Sequence, residues 1–189
     1  MRRRTFDLIL TAIGGVLTVG LLIAGGLLTW GYNFANSTVH DQLAAQQIYF
    51  PAKGSDALKS EEIGPYLNQY AGKQLTTGAQ AEAYADHFIK VHLSEIAGGK
   101  TYSQVSTEAQ ANPDDEKLAA QVQTLFRGET LRGMLLNAYA FWKFGQIALY
   151  SAIASFAGAL VFLVLTFLGF RHSRRVDPEA PVFEKPATA

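Results

Sequence analysis

The run Leu8–Trp30, LILTAIGGVLTVGLLIAGGLLTW, decides the fold. It holds 23 residues and no charged side chain. As a helix it extends roughly 34 Å, enough for a bilayer core of about 30 Å. A second uncharged run, Ile147–Phe170, stands near the other end of the chain. The whole sequence of 189 residues is 49% hydrophobic and 17% charged with zero formal charge, but that average conceals segregation, because the apolar residues gather in these two runs. Between them, residues 31–146 carry nine Lys/Arg against twelve Asp/Glu, a formal charge of −3. A mildly acidic segment lacks the concentrated basic face that nucleic acid requires, so no nucleic-acid partner is expected. The absence of cysteine excludes disulfides, thiolate metal sites and cysteine nucleophiles.

The flanks set an expected orientation. Arg2, Arg3 and Arg4 precede the first run, and Arg171, Arg174 and Arg175 follow the second. Basic residues close to membrane ends stay in the cytoplasm, whereas long loops translocate whatever their charge. The expected organisation is therefore a cytoplasmic start (1–7), a first span (8–30), an extracytoplasmic domain (31–146), a second span (147–170) and a cytoplasmic tail (171–189), in the plasma membrane. The tail, VDPEAPVFEKPATA after Arg175, is proline-rich and aperiodic and reads as disordered. Trp30, Tyr32, Tyr139, Phe141 and Trp142, with Lys143, read as a belt at the outer interface. A cleaved signal peptide is the rival reading of Leu8–Trp30. Its basic start fits, but the run exceeds an h-region of about 7–15 residues and no small-x-small cleavage site follows.

Small residues mark a packing face. Thr11, Gly15, Thr18, Leu22, Gly25 and Thr29 recur at helical spacing on the first run. Ala148, Ala152, Ser155 and Ala159 form a matching stripe on the second, continued by Phe162 and Thr166. In lipid, such faces let helices approach closely. An antiparallel hairpin whose small faces meet is the simplest reading; a membrane-protein partner or a homo-oligomer through those faces is the alternative. The lipid bilayer is the one partner the composition requires.

The middle segment reads as helical, since no run alternates in the β manner. Asn33–Gln47 continues the first helix into water, and Gly64-Pro65 opens a short helix ended by Gly72. Thr77 with Gln80 makes a capping box for Gly78–Ala97, which Gly98-Gly99 ends; Ala81, Tyr84, Ala85, Phe88, Ile89, His92 and Ile96 form its expected core face. Thr101 with Gln104 is a second capping box. Asn112-Pro113-Asp114-Asp115-Glu116 reads as a helix start capped by Asn112, leading to a helix nearly continuous with the second span, with Gly128 and Gly133 as kink points. The fold class is all-α: a two-helix transmembrane hairpin with a small extracytoplasmic helical domain.

The search for chemistry yields little. His87 and His92, five residues apart, stand about 140° apart on a helix and do not converge on one metal. His92 reads as a hydrogen-bonded core histidine and His87 with Asp86 as a solvated pair. Gly98-Gly99-Lys100-Thr101 mimics the end of a phosphate-binding loop, but Ser94 stands where glycine is needed and a helix precedes it. Arg127, Glu129 and Arg132 read as a juxtamembrane charge cluster, with a brace for the outer bundle as the alternative. No catalytic residue, metal ligand or cofactor is identified.

The segments AGGLLTWGYNFAN, QLTTGAQAEAYADHFIKVHL, AGGKTYSQVS and KLAAQVQTLFRGETLRGMLLNAYAFW resemble a group of actinobacterial two-helix membrane proteins of unknown function. The likeness covers most of the chain apart from the tail. It implies a plasma-membrane protein facing the cell wall and brings no activity with it. Some relatives are described as aromatic ring-opening dioxygenases; that activity is not carried over, because the chain offers no facial set of two histidines and a carboxylate. The expected function is non-enzymatic: an extracytoplasmic helical domain that binds or scaffolds, as an accessory part of a cell-envelope complex. A sensory module signalling through the C-terminal tail is the alternative, and an oligomeric pore or an enzyme built from scattered residues comes third.

Overall fold

The two uncharged runs form the middles of two long helices. In a computed structural model, which describes residues 2–177, α1 covers Arg3–Ala45 and α6 covers Glu116–Ser173. Residues 178–189 of the tail expected to be disordered lie outside the described residues. Shorter helices lie between: α2 (Gly64–Leu67), α3 (Gly78–Tyr84), α4 (Lys90–Ala97) and α5 (Tyr102–Ala111). Among the described residues there is no strand, only one isolated antiparallel bridge between Tyr49 and Gln74. The chain is all-α. At 1.5 Å per residue α1 is roughly 65 Å long and α6 roughly 87 Å, each well beyond what a bilayer crossing needs.

The described residues divide into two units. The first comprises the segments up to Tyr32 and from Gln146 onward; the second is Asn33–Gly145. In the first unit the two apolar helix segments pack along a seam. Among the covered positions, one series runs along α1 through Thr11, Gly14, Thr18, Leu21, Gly25 and Leu28, flanked by Gly15, Ala24 and Thr29, and one along α6 through Ala148, Ala152, Ser155, Ala159, Phe162, Thr166 and Gly169, flanked by Leu149 and Gly158. Both series step alternately by three and four, the 3.5-residue repeat of left-handed helix pairing. Leu22, expected on this face, points outward at 48% exposure, and Leu21 takes its place.

The second unit has a true core. Val39 and Leu43 of α1 are buried with Leu67, Leu75, Ala81, Ala85, Leu93, Val105, Leu125 and Leu135. Phe50 packs its ring edge-on to Tyr84 and beside Tyr70. A short backbone clip holds the loop after α1: Phe50 N–H donates to Lys73 O (2.9 Å), and Leu75 N–H to Ile48 O (2.8 Å). Both capping boxes form, at Thr77–Gln80 and at Thr101–Gln104. Gly98 (φ 59°) and Gly99 (φ 81°) adopt the left-handed conformation that ends α4.

Three local expectations change. First, Ala85–Ile89 is one turn of π-helix between α3 and α4. The buried positions are therefore Ala81, Ala85, Ile89, Leu93 and Ala97, every fourth residue, and Ile96 lies exposed. In an unbroken α-helix, sixteen residues at about 100° each would turn Ala97 some 160° away from Ala81. The wider turn restores most of that angle and keeps one face on the core. Second, Asn112 ends α5, its side-chain amide donating to Glu108 O (2.9 Å), whereas Asp115 caps α6 by accepting from Leu118 N–H (3.0 Å). Third, neither Gly128 nor Gly133 interrupts α6. A Cβ on Gly128 would stand 2.4 Å from Leu93 Cδ2, so this glycine permits a close helix approach.

Candidate functional site

The seam in the first unit pairs a small residue on one helix with a larger one on the other. A Cβ on Gly14 would lie 2.5 Å from Thr166 Oγ1, and one on Gly169 would lie 2.8 Å from Thr11 Oγ1. A Cβ on Gly25 would stand 2.8 Å from the Phe156 ring, and one on Gly158 would stand 3.3 Å from Leu21 Cδ1. The residue numbers in each pair sum to within one of 180, so the two segments are antiparallel in a single register. Among the expected packing residues, Thr18, Gly25, Ala152 and Ala159 are buried, and Thr11, Gly15, Ala148 and Ser155 are half-buried. The hydroxyls of Thr11, Thr18 and Thr29 donate to carbonyls four residues earlier at 2.7–2.8 Å, and Ser155 does likewise. These donors are satisfied within their own helices.

Thr166 breaks that pattern: its buried hydroxyl has no hydrogen-bond partner. It lines a cleft of about 330 Å³ with Leu10, Thr11, Ile13, Leu17, Phe162 and Leu165, closed at one end by Asp7 and His172. Asp7 is 15% exposed in its side chain, and its Oδ2 is buried without a hydrogen bond, 3.8 Å from His172 Nε2. The sequence did not single out Asp7, Gly169 or His172. The signal that finds them is the antiparallel register itself, which sets 7 opposite 172.

The second unit holds the remaining chemistry. Arg132, 24% exposed, donates to Asp86 at 2.8 Å and more weakly to Glu129 at 3.4 Å. The Asp86 hydrogen bond holds the Arg132 guanidinium above its ordinary pKa against its partial burial. Asp86, its side chain 32% exposed, is thus bound to α6 as well as open to solvent, and Arg132 ties α6 to the π turn as a brace. His87 stacks face-on against Tyr66, 3.5 Å between centroids and 5° between planes. These two rings, with Glu61, Glu62, Asp86 and Lys90, line an open polar cleft of about 570 Å³. His92 Nδ1–H donates to Phe88 O (2.7 Å) on a half-buried ring. Burial raises the Tyr84 hydroxyl pKa. A second groove of about 430 Å³ lies between α1 and α6, from Thr38 and Gln42 across to Met134 and Phe141.

Of the expected belt residues, Trp30, Phe141 and Lys143 are exposed, and Tyr32 and Tyr139 half-buried. Trp142 is half-buried beside Gly78, where a Cβ would come 2.3 Å from its own Cβ. Arg2, Arg3, Arg4, Arg171, Arg174 and Arg175 are exposed, with the Arg174 guanidinium 4.2 Å over the Phe170 ring. Among the described residues no group of three or more His, Asp or Glu side chains is placed to hold one metal ion. Comparison with protein families, with curated proteins and with solved structures finds no match to any of them.

Proposed function

We propose that this chain is an integral membrane protein with two spans, both termini cytoplasmic, whose helical domain stands outside the cytoplasm and binds or scaffolds a component of the cell envelope. The observation that carries the reading is the bare apolar surface of the two long helices. In the most apolar stretch of α1 only 11% of positions are buried, and in that of α6 only 6%. Val16 is 72% exposed and Leu160 63%. A core helix of a water-soluble protein is covered on its apolar face, and a soluble monomer seldom leaves a contiguous apolar patch above a few hundred Å². The basic flanks supply the orientation. The open cleft beside the stacked Tyr66 and His87 is the feature of the outer domain that supports binding.

The absence of cysteine makes the orientation directly testable. Single substitutions Ser103→Cys and Arg175→Cys are placed at exposed positions. In intact cells an impermeant maleimide is expected to label the first, and the second only after permeabilisation; labelling of the second from outside overturns the orientation. Release of the chain from membranes by alkaline carbonate overturns the two-span reading altogether. For the scaffolding role, purification in mild detergent is expected to bring along a partner that Tyr66→Ala releases. A lone monodisperse species argues against it.

A further inference from the structure

Within the second unit α6 turns two faces of different character. Gly128, Leu135 and Trp142, seven residues apart, lie against the chain's own core. The opposite face is open from residue 119 to residue 144, roughly 38 Å of helix. Its residues fall into two columns. Gln123, Thr130 and Asn137 recur every seventh residue in one; Ala119, Phe126, Gly133 and Ala140 do so in the other, and all of them are exposed. Phe126 keeps 53% of its surface in solvent. Steps of three and four in turn, kept up over about three and a half heptads, are the pattern of helices that pair along their length.

Charge and direction say what such a face fits. Over the same length α6 carries Arg127, Glu129, Arg132 and Lys143, and none of them stands in either column. A solvated helix face ordinarily gathers the charges instead of shedding them. Among the described residues the amides of Gln123 and Asn137 have no hydrogen-bond partner. The helix runs unbroken from this face into the second apolar run. Two chains inserted alike in one membrane therefore carry α6 pointing the same way. Pairing about a two-fold axis along the helices then sets each residue opposite its own copy. A charge repels its copy, whereas an amide both donates and accepts and bonds to its copy, and alanine and phenylalanine pack on theirs. The face holds only residues that tolerate their own counterpart. A polar residue at every seventh position costs such a pair stability and fixes its register. Confinement to a shared membrane offsets that cost by raising the effective concentration.

We propose that the open face of α6, residues 119–144, pairs in parallel and in register with the same face of a second copy of this chain. Gln123 and Asn137 each bond to their own counterpart, and the Phe126 rings leave water between them. The inference rests on the reading of α1 and α6 as membrane spans, which imposes the parallel direction.

The test uses the full chain in its membrane. Because the chain has no cysteine, a single Asn137→Cys can bridge only between chains. Mild oxidation is expected to convert it largely to a covalent dimer, while Thr124→Cys, exposed on α6 outside the face, stays monomeric. Equal bridging of the two overturns the proposal. A charge swap at the same site tests self-facing. Two differently tagged copies of the unaltered chain are expected to co-purify in mild detergent. Asn137→Asp paired with itself and Asn137→Lys paired with itself are expected to lose that co-purification, and Asn137→Asp with Asn137→Lys to regain it. Recovery in the mixture shows that both variants fold. Self-pairing retained by both variants overturns the proposal. Bridging of Asn137→Cys to a different protein and never to its own copy overturns the second copy as the occupant. Monomers that resist extraction by alkaline carbonate overturn this inference alone; release of the chain by carbonate overturns the span reading on which it rests.

Discussion

Cysteine pairs across the seam give a direct reading of whether its two helices belong to one chain. A Cβ built on Gly14 lies 3.7 Å from Thr166 Cβ, and one on Gly169 lies 3.8 Å from Thr11 Cβ. Disulfides form where the two Cβ atoms are about 3.5–4.5 Å apart, with a mean near 3.8 Å. Both Gly14→Cys/Thr166→Cys and Thr11→Cys/Gly169→Cys therefore fall at the centre of the permitted range. Gly20→Cys with Thr166→Cys is the control, since a Cβ on Gly20 meets nothing within 4 Å and stands six residues, roughly 9 Å, further along the axis than Gly14. Each double variant carries its only two cysteines at the chosen sites. Membranes are oxidised with a permeant copper reagent and run without reductant. Both seam pairs are expected to give a monomer of increased mobility, and the control pair none. Dimers without any internally bridged monomer would refute the hairpin and make the seam an interface between chains. Equal bridging of the control pair would refute a single register.

Other consequences follow from single contacts in the second unit. Gly133→Ala places a methyl in open space on α6 and is expected to stabilise by about 1 kcal/mol, whereas Gly128→Ala drives a Cβ into Leu93 at an overpacking cost of about 1–3 kcal/mol that cancels or exceeds the same gain. Thermal unfolding of the two variants checks the difference, and an equal rise in both would deny the Leu93 contact. Asp115→Ala is expected to cost about 1 kcal/mol as the true cap of α6, and Asn112→Ala a good deal less; the reverse order would return the cap to Asn112. A double-mutant cycle on Asp86→Asn and Arg132→Met is expected to show a coupling of about 0.5–1.5 kcal/mol, read by denaturant melts, and additive effects would remove the brace.

What the sequence made legible was local. The capping boxes at Thr77 and Thr101 depend on residues three apart and form as read. The two apolar runs follow from charge-free composition, and the unbroken passage of α6 from the lack of a proline between Pro113 and Pro178. What escaped depended on distant partners. The π turn at Ala85–Ile89 has no breaker residue to announce it; it reconciles a face that the core needs from Ala81 through to Ala97. Two capping side chains stood three residues apart at 112 and 115. The carboxylate won at the positive end of α6, where its charge suits the helix dipole, and the amide went to the carbonyl-rich end of α5. Asp86 and His87 read as a solvated pair because neither Arg132, 46 residues from Asp86, nor Tyr66 is local to them.

The seam shows why the candidate site was out of reach in the same way. Small faces were expected to meet, and near the basic end Gly14 lies against Thr166 and Gly169 against Thr11; along the rest of the seam the packing opposes small to large, Gly25 to Phe156 and Gly158 to Leu21. Two uniformly small stripes can slide past one another, because every offset packs about equally well. Alternating bulk and gap removes that freedom, since a slip of one heptad would bring Phe156 off Gly25 and onto the level of Thr18 or Tyr32. Dispersion contact between close-packed surfaces is the main attraction available to helices in lipid, so if α1 and α6 span a membrane as proposed, the loss on slipping has no hydrophobic term to mask it. The register is thus set by shape over the middle of the helices. It then places Asp7 opposite His172 at the end, where neither shape nor hydrophobicity could have specified a polar pair. A reader of the sequence who pairs glycines with bulky residues instead of with each other recovers the register, and with it the site.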